Sequence, residues 1–545
     1  MQRKVSPLHA ALLGVVLAVL LLGNPAAAQT TPTAPTSPVE VGEMLRHGQQ
    51  LETERRWGEA FAHYEEALRQ FPDDHSLKLR FDYARLHYDL SRRYDDRSYD
   101  ELLNQLSLTQ ALDFYSEVLL KIQAHYVEVP VWKEVVERGT NMCEVALSEP
   151  SFLRRHAPAV DENAISGFRY DLRRILGSRL IQTRTDAREA AASAALLAQS
   201  RLGLPPHAVV LEYTCGATNS LDLYSTYLTP DQLADIYAQI EGNFVGLGIE
   251  LKASDGALLI VRVIAGSPAE QSGIRAGDRI VNVDGQPTRE LTTDQAANLL
   301  QGEVHSVAAL TVISPGSGPR QLTVRREEVE VPSVDDVKLL DSSLGIGYFK
   351  LVCFQKTTCR DLDAALWKLH KAGMRSLIID LRGNPGGLLL TSVEAADKFL
   401  EEGTIVSTRG RSVQENFSYP AHRTGTWRVP LVVLIDDQSA SAAEIFAGAI
   451  RERRRGTVIG SRSYGKGSVQ SIFPLDLTNG GLRLTTSKFY SPSGRPYAGV
   501  GVEPNVIVRQ VARPVDDSGQ LVPIADEDPV LTAAMQAARQ MLAQR

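Results

Sequence analysis

The sequence predicts a multidomain protein with an α-helical N-terminal region, a small β-rich domain and an α/β core. Three observations predict it. At 545 residues the chain is too long for one core and suits three or four domains. Apolar residues recur at helical spacing through the first half, as at residues 111–120. From residue 241 the pattern changes to short strands with glycine turns, and from residue 329 to buried apolar runs alternating with helical stretches.

Residues 1–28 read as an export signal. Arg3 and Lys4 precede an apolar run from Ala10 to Leu22, and Ala26-Ala27-Ala28 offers a small-residue cleavage site before Gln29. The run is short for a bilayer span of about 20 residues, so membrane association is expected only if the segment is retained. The expected location is an exported compartment, the periplasm. Residues 29–40 form a flexible Thr/Pro/Ala-rich linker with Pro32, Pro35 and Pro38. A net charge of −7 leaves no basic footprint and argues against a nucleic-acid partner. The four cysteines, Cys143, Cys215, Cys353 and Cys359, make no disulfide-dense scaffold, and their pairing cannot be read from spacing. Neither a CxxC nor an HExxH motif is present, so a metal site has no support.

Residues 41–74 match one tetratricopeptide repeat. Gly48, Leu51, Trp57, Ala60, Tyr64, Ala67 and Pro72 fall at the small and large positions of that 34-residue pattern. A solitary repeat cannot bury its face, so the array is expected to continue to residue 108, giving a tetratricopeptide-like region over 41–108. This region is a candidate module for a protein partner, or a helical cap on the remainder. Residues 109–240 read as mainly helical, including the alanine-rich stretch 187–198.

Residues 241–328 resemble a PDZ domain over nearly their whole length. Gly246-Leu247-Gly248-Ile249 matches the carboxylate-binding loop of that family, and Gly273, the Ala276-Gly277-Asp278 turn and the strand order agree with it. Strands are expected near 244–251, 258–263, 278–285 and 308–313, with a short helix near 269–273 and another over 293–300. Such a loop aims successive N–H groups at an anion, and the adjacent strand edge pairs with an extended peptide.

Residues 329–510 read as the α/β core. Strands are expected over 344–352, 376–381, 429–435 and 482–490, and helices over 358–372, 388–400 and 441–451; residues 511–545 form a C-terminal segment with a helix. Two segments inside the core carry chemistry. Ser439-Ala440-Ser441-Ala442-Ala443-Glu444 comes after an apolar strand, and Tyr464-Gly465-Lys466-Gly467-Ser468-Val469-Gln470 sets a lysine between glycines. A serine needs a base, and a lysine serves if burial keeps its amine neutral. Either serine sits near a helix N-terminus, where unpaired N–H groups favour developing negative charge.

With Gly347-Tyr348-Phe349, Leu381-Arg382-Gly383-Asn384-Pro385-Gly386-Gly387-Leu388 and Gly501-Val502-Glu503-Pro504, these make five ordered motifs. From about residue 109 to 510 the chain resembles a carboxyl-terminal processing (tail-specific) protease, a PDZ-containing Ser-Lys peptidase of the S41 family. The resemblance implies Ser441 as nucleophile, with Ser439 the rival on sequence alone, and Lys466 as general base. It implies Gln470 as the residue that orients the amine; contact across four residues would require a bend near Gly465–Gly467. The N–H of Ala442 is expected to be one oxyanion donor, and Gly386 or Gly387 the second. Glu444 is expected to be structural. In place of the family's usual glycine before Ser-Ala-Ser stands Gln438, after Asp436 and Asp437.

The implied activity is cleavage of polypeptide C-termini by an exported serine endopeptidase, with the PDZ loop holding the terminal carboxylate. No cofactor is required. The alternatives are a catalytically inactive adaptor that binds protein C-termini through its repeat and PDZ domains, and a Ser-His-Asp hydrolase. No histidine, His370 and His422 included, has a serine or carboxylate at a telling spacing for the latter.

Overall fold

The computed structural model describes residues 38–156, 160–254, 257–290, 299–508 and 528–544. The export signal, most of the linker, and the greater part of the helix expected over 293–300 lie outside the described residues.

Helices Pro38–Thr53, Trp57–Gln70 and His75–Tyr94 form the N-terminal module. Their packing explains the small and large residues of the repeat pattern. A Cβ at Gly48 would stand 2.2 Å from the Tyr64 ring, so only glycine lets the first helix close on that side chain. Tyr64 is fully buried among Leu51, Ala60, Ala67, Leu77, Phe81 and Ala84, and its hydroxyl donates to Glu52 Oε1 at 2.8 Å. Asp74 caps the third helix by accepting from Leu77 N. That helix then feeds Leu86 and Leu90 into a second, larger core, so the module is continuous with the rest of the helical half.

The larger core is built around helix Pro206–Asn219, whose residues from Ala208 onward are all buried. Helix Arg184–Leu202 lays its alanine stripe, Ala187, Ala190, Ala191, Ala194, Ala195 and Ala198, into the same core. Helix Trp132–Ala146 crosses at Gly139, where a Cβ on Gly216 would meet the Gly139 Cα at 2.4 Å. The expectation of a mainly helical stretch over 109–240 misses one element. Strand Thr226–Leu228 pairs antiparallel with Gly481–Tyr490 and stitches the helical half to the core. Three residues are too few to show a period of two.

The β-rich domain is a sheet in the order Ile249–Ser254, Ala257–Val263, Arg279–Val283, Val307–Ile313, Pro319–Arg325. Leu258, Ile260, Ile280, Val283, Leu310 and Val312 fill its core. Strand Ile249–Ser254 lies at the edge of the sheet, and Asn243–Gly246 pairs with Glu327–Glu330 at the base of the domain.

The α/β core carries a six-stranded sheet in the order Val334–Asp341, Ile346–Leu351, Ser376–Asp380, Leu431–Ile435, Thr457–Gly460, Val506–Ile507. All pairs after the first are parallel. Both faces are covered, which is why its strands read as unbroken apolar runs. Leu377, Ile379, Leu431, Val433 and Ile435 meet the helices Thr358–Lys371, Leu389–Asp397 and Ala442–Glu452. Ile378, Val432 and Leu434 meet Val530, Ala534 and Ala538 of the C-terminal helix Pro529–Ala543. A second sheet joins Thr226–Leu228, Gly481–Tyr490, Thr404–Gly410 and Phe417–Pro420, with Ser468–Pro474 also paired to Gly481–Tyr490. No helix among the described residues is long and apolar enough to cross a membrane.

Because Tyr64 fills the centre of the N-terminal module, Tyr64→Ala is expected to destabilise it by about 3–5 kcal/mol. The measurement is amide exchange, with faster exchange across the first three helices and unchanged exchange in the parallel sheet.

Candidate active site

The parallel strand Leu431–Ile435 runs into a turn, and helix Ala442–Glu452 begins immediately after Ser441. Ser441 has φ 58° and ψ −114°, a region that a residue with a Cβ enters only under constraint. The constraint is visible. Its N–H donates to Glu444 Oε2 at 2.7 Å, and the glycine turn packs so close that a Cβ on Gly386 would stand 2.8 Å from the Ser441 Cβ. The Ser441 side chain is 1% exposed, and its Oγ makes no hydrogen bond.

Ser439 contrasts with it. Its Oγ donates to Leu381 O at 2.8 Å and accepts from Asp436 N at 3.0 Å, so the hydroxyl is committed to the turn. Asp436 completes the knot by accepting from Ser439 N and from Gly383 N. Of the two serines that the sequence leaves as rivals, only Ser441 carries a free hydroxyl.

The glycine turn lies against the same place. A Cβ on Gly386 would stand 2.8 Å from Ser441 Cβ and 2.9 Å from Ala442 N. Gly387 has φ 138°, and a Cβ there would strike Phe354 O at 2.0 Å, so neither position admits a side chain. Asn384 is fully buried, donates to Leu351 O at 2.7 Å and accepts from Gly386 N at 2.8 Å. Of the two glycines expected as candidates for the second oxyanion donor, Gly386 thus has its N–H engaged by Asn384. The N–H groups of Gly387 and Ala442 have no acceptor among the described residues. A cavity of about 390 Å³ opens beside Gly386 and Gly387, with Leu228, Ile236, Ile240, Phe354 and Leu388 on its walls.

Lys466 sits on an irregular segment before strand Ser468–Pro474. Gly465, at φ 91°, turns the chain, and Gly467 passes so close to Ala498 that a Cβ would lie 2.2 Å from its nitrogen. Glu444 binds this segment to Ser441. Its Oε1 accepts from Gly465 N at 2.7 Å and Ser463 Oγ at 2.6 Å; its Oε2 accepts from Lys466 N at 2.9 Å in addition to Ser441 N. Four donors favour the carboxylate, whereas burial pushes Glu444 up to about 7. Lys466 is 3% exposed. Burial and the nearby Arg483 guanidinium bring its amine down to about 7, against the pull of Asp222 and Glu444. The amine lies 4.3 Å from the centroid of the Tyr224 ring. No hydrogen bond joins it to Ser441 Oγ.

Gln470 stands in the same strand pocket without bonding to Lys466. Its Nε2 donates to Ser468 Oγ at 2.9 Å and Thr485 Oγ1 at 3.1 Å, and its Oε1 is buried with no partner. The histidines singled out from sequence lie elsewhere: His422 pairs with Asp397 on the surface, and His370 packs edge-on to Trp367 and Trp427. All four cysteines are free. Sequence reasoning names Asn384 and Asp436 only as members of their motifs, with no role, and does not single out Tyr224. The Ser-x-x-Glu spacing of a helix start offered a signal for the Glu444 contact; nothing local marks Tyr224, which arrives from a distant segment.

In the β-rich domain, Gly246, Leu247 and Gly248 form the buried link into edge strand Ile249–Ser254. The N–H groups of Leu247 and Gly248 have no acceptor among the described residues. Gly248, at φ 81°, would meet Ser267 Cβ at 2.2 Å if it bore a Cβ.

An amine whose ordinary value is 10.5 and whose folded value is about 7 binds fewer protons folded than unfolded between those limits. The buried ammonium therefore destabilises the fold most at and below pH 7, and the penalty fades toward pH 10.5. Lys466→Met is expected to raise the thermal midpoint at neutral pH, with the gain shrinking in alkaline buffer.

Peptidase family S41 matches residues 345–508 and the PDZ domain residues 259–314. A carboxy-terminal-processing protease of Bartonella bacilliformis is 38% identical over 301 residues, covering 54% of this chain and 68% of the relative. A carboxyl-terminal-processing protease of Synechocystis is 33% identical over 293 residues, covering 53% and 68%. Among solved structures, the photosystem II D1 C-terminal processing protease aligns at 23% identity and a TM-score of 0.39, over 77% of this chain and 98% of that one. The chain belongs to the carboxyl-terminal processing proteases, serine peptidases of family S41 that carry a PDZ domain.

Proposed function

We propose that this peptidase cleaves polypeptides near their C-termini with Ser441 as nucleophile and Lys466 as general base. The observation that carries the proposal is the pairing of a buried, unbonded Ser441 hydroxyl with a buried lysine amine brought down to about 7, on two loops clamped by one carboxylate. Ser441 Oγ attacks the scissile carbonyl carbon as the Lys466 amine takes its proton. The carbonyl oxygen becomes an oxyanion held by the Ala442 and Gly387 N–H groups. The resulting ammonium gives its proton to the departing amine nitrogen, leaving an ester on Ser441. Lys466 then takes a proton from water, which attacks the ester, and the proton returns to Ser441 as the acid product leaves. Gln470 Oε1, buried without a partner, is the acceptor that would steady the ammonium.

The substrate end is assigned to the PDZ domain. Two unengaged N–H groups precede an edge strand, the arrangement that receives a carboxylate and lets the preceding residues add as a strand. The cavity beside Gly387 offers the apolar side chains of Leu228, Ile236, Ile240, Phe354 and Leu388 to a substrate residue, within a lining that also includes Asp89, Arg92, Arg93 and Asp235. The charged and apolar order of residues 1–28 supports export to the periplasm, with a mature chain expected to begin at Gln29 on N-terminal sequencing. The N-terminal module is a candidate site for a protein partner.

The decisive experiment is cleavage of unfolded polypeptides carrying free or amidated C-termini. Ser441→Ala and Lys466→Ala are each expected to lose at least about 10³-fold in kcat/KM, amidation to weaken cleavage, and wild-type activity to rise with pH through about 7. Ser439→Ala is expected to remain active while losing about 1–3 kcal/mol of stability, because it strands Asp436 N. Cleavage that survives Ser441→Ala would reject the nucleophile; absence of cleavage in the wild type would favour the adaptor.

A further inference from the structure

The Lys466 amine has a position in this structure that the mechanism does not use. It rests on the face of Tyr224, 4.3 Å from the ring centroid, while Ser441 Oγ is left without a partner. Tyr224 belongs to the segment just before strand Thr226–Leu228, outside the residues matched by the S41 family. Its backbone carbonyl is held by Arg483 Nε at 2.9 Å. Its phenol interacts with that of Tyr464, two residues before the lysine. Tyr464 is in turn gripped by the N-terminal module: its hydroxyl donates to Glu65 Oε1 at 2.7 Å, and the Arg69 guanidinium lies 4.6 Å over its ring. Both Glu65 and Arg69 lie on helix Trp57–Gln70.

An aromatic face attracts an ammonium and gives a neutral amine no comparable gain. The ring therefore favours the protonated, resting amine over the neutral amine that must reach Ser441. The other charged groups facing Lys466 are Arg483 from strand Gly481–Tyr490, Asp222 from the Tyr224 segment and Glu444 from helix Ala442–Glu452. Asp222 and Glu444 also favour the ammonium, and Arg483 opposes it. Arg483 itself is faced by Arg92, Arg85, Asp89 and Asp222. None of these is removed by a change at Tyr224, so the contribution of the ring can be read separately.

We propose that Tyr224 is a positioning residue for the general base, holding the Lys466 amine in a resting place away from Ser441, and that Glu65 and Arg69 of the N-terminal module fix this ring through Tyr464. The module thereby sets the share of molecules in which the amine engages the serine. The inference rests on the Ser441–Lys466 reading of the site.

The test is kcat/KM against pH for the full chain on an unfolded polypeptide with a free C-terminus. Tyr224→Leu keeps the amine under apolar cover but removes the aromatic face. It is expected to move the acidic limb down by about 0.5–1.5 pH units, the size of a cation–π contact, and to raise kcat/KM below the limb by about three- to thirtyfold. Tyr224→Phe, which retains the ring, is expected to recover most of the wild-type limb. Glu65→Ala, at a partly exposed position of the module, is expected to shift the limb in the same direction as Tyr224→Leu by a smaller amount, and it reports on the anchor if the leucine variant does not fold. A limb that stays in place or moves up in Tyr224→Leu, a phenylalanine variant indistinguishable from the leucine one, or a Glu65→Ala limb that does not move would overturn the proposal. Lys466→Ala is assayed beside them. Activity retained there would reject the Ser-Lys reading itself, whatever the Tyr224 variants do.

Discussion

One carboxylate organises the active site. Glu444 reaches back from the first turn of its helix to Ser441 N and forward to Ser463, Gly465 and Lys466, joining the turn that enters this helix to the loop that enters strand Ser468–Pro474. A charged acceptor in a dry site makes strong hydrogen bonds, roughly twice the strength of neutral ones. Those bonds hold Ser441 at a positive φ and hold the lysine backbone against it. The same charge draws the Lys466 amine toward protonation, so the clamp and the base are in tension. Burial and Arg483 tip the balance, leaving the amine near 7, where a base is useful. The geometry of the proposed Ser441–Lys466 pair and the basicity of its amine thus depend on the same side chain.

A second layer of fixed amides shapes the place where charge would develop. Asn384 and Asp436 spend their side chains on the glycine and serine turns. By engaging the Gly386 N–H, Asn384 leaves Gly387 as the turn's available donor. The two Cβ exclusions, against Ser441 on one side and Phe354 on the other, show why this turn is built from glycine. The parallel sheet behind it, buried on both faces, keeps the Ser441 turn and the glycine turn at the carboxyl ends of adjacent strands.

Much of this was legible in the sequence. The central strands were readable because burial on both faces writes them as continuous apolar runs, and the helices because Leu362, Ala365, Leu366 and Leu369 keep a helical period. Ser441, Lys466, the glycine turn and the Gly246–Ile249 loop stood out as candidates because each is a short local motif in a fixed order. What escaped was whatever depends on distant partners. Strand Thr226–Leu228 exists because Gly481–Tyr490 is there to pair with it. The choice between Ser439 and Ser441 turned on Leu381 O, and the choice between Gly386 and Gly387 on the Asn384 side chain. The resemblance implied a Gln470–Lys466 contact, which the spacing allowed only with a bend; the Gln470 amide instead donates to Ser468 and, across the sheet, to Thr485. Tyr224 carries no local signature at all.

The bond from Arg483 to the Tyr224 carbonyl spans 259 residues of chain. The housing of the lysine therefore includes one wall made early in synthesis and another made close to its end, and the Glu65–Tyr464 bond reaches back still further, across 399 residues. Contacts of such separation form late, because the loop they close is long and the entropy of closing it must be met first. A chain still emerging has its serine before it has a dry environment for the amine, and an exposed lysine is a cation with no appetite for a proton. With Ser441 and Lys466 in the roles proposed above, peptidase competence is in this way tied to completion of the fold, and an unfinished chain carries a hydroxyl without a base.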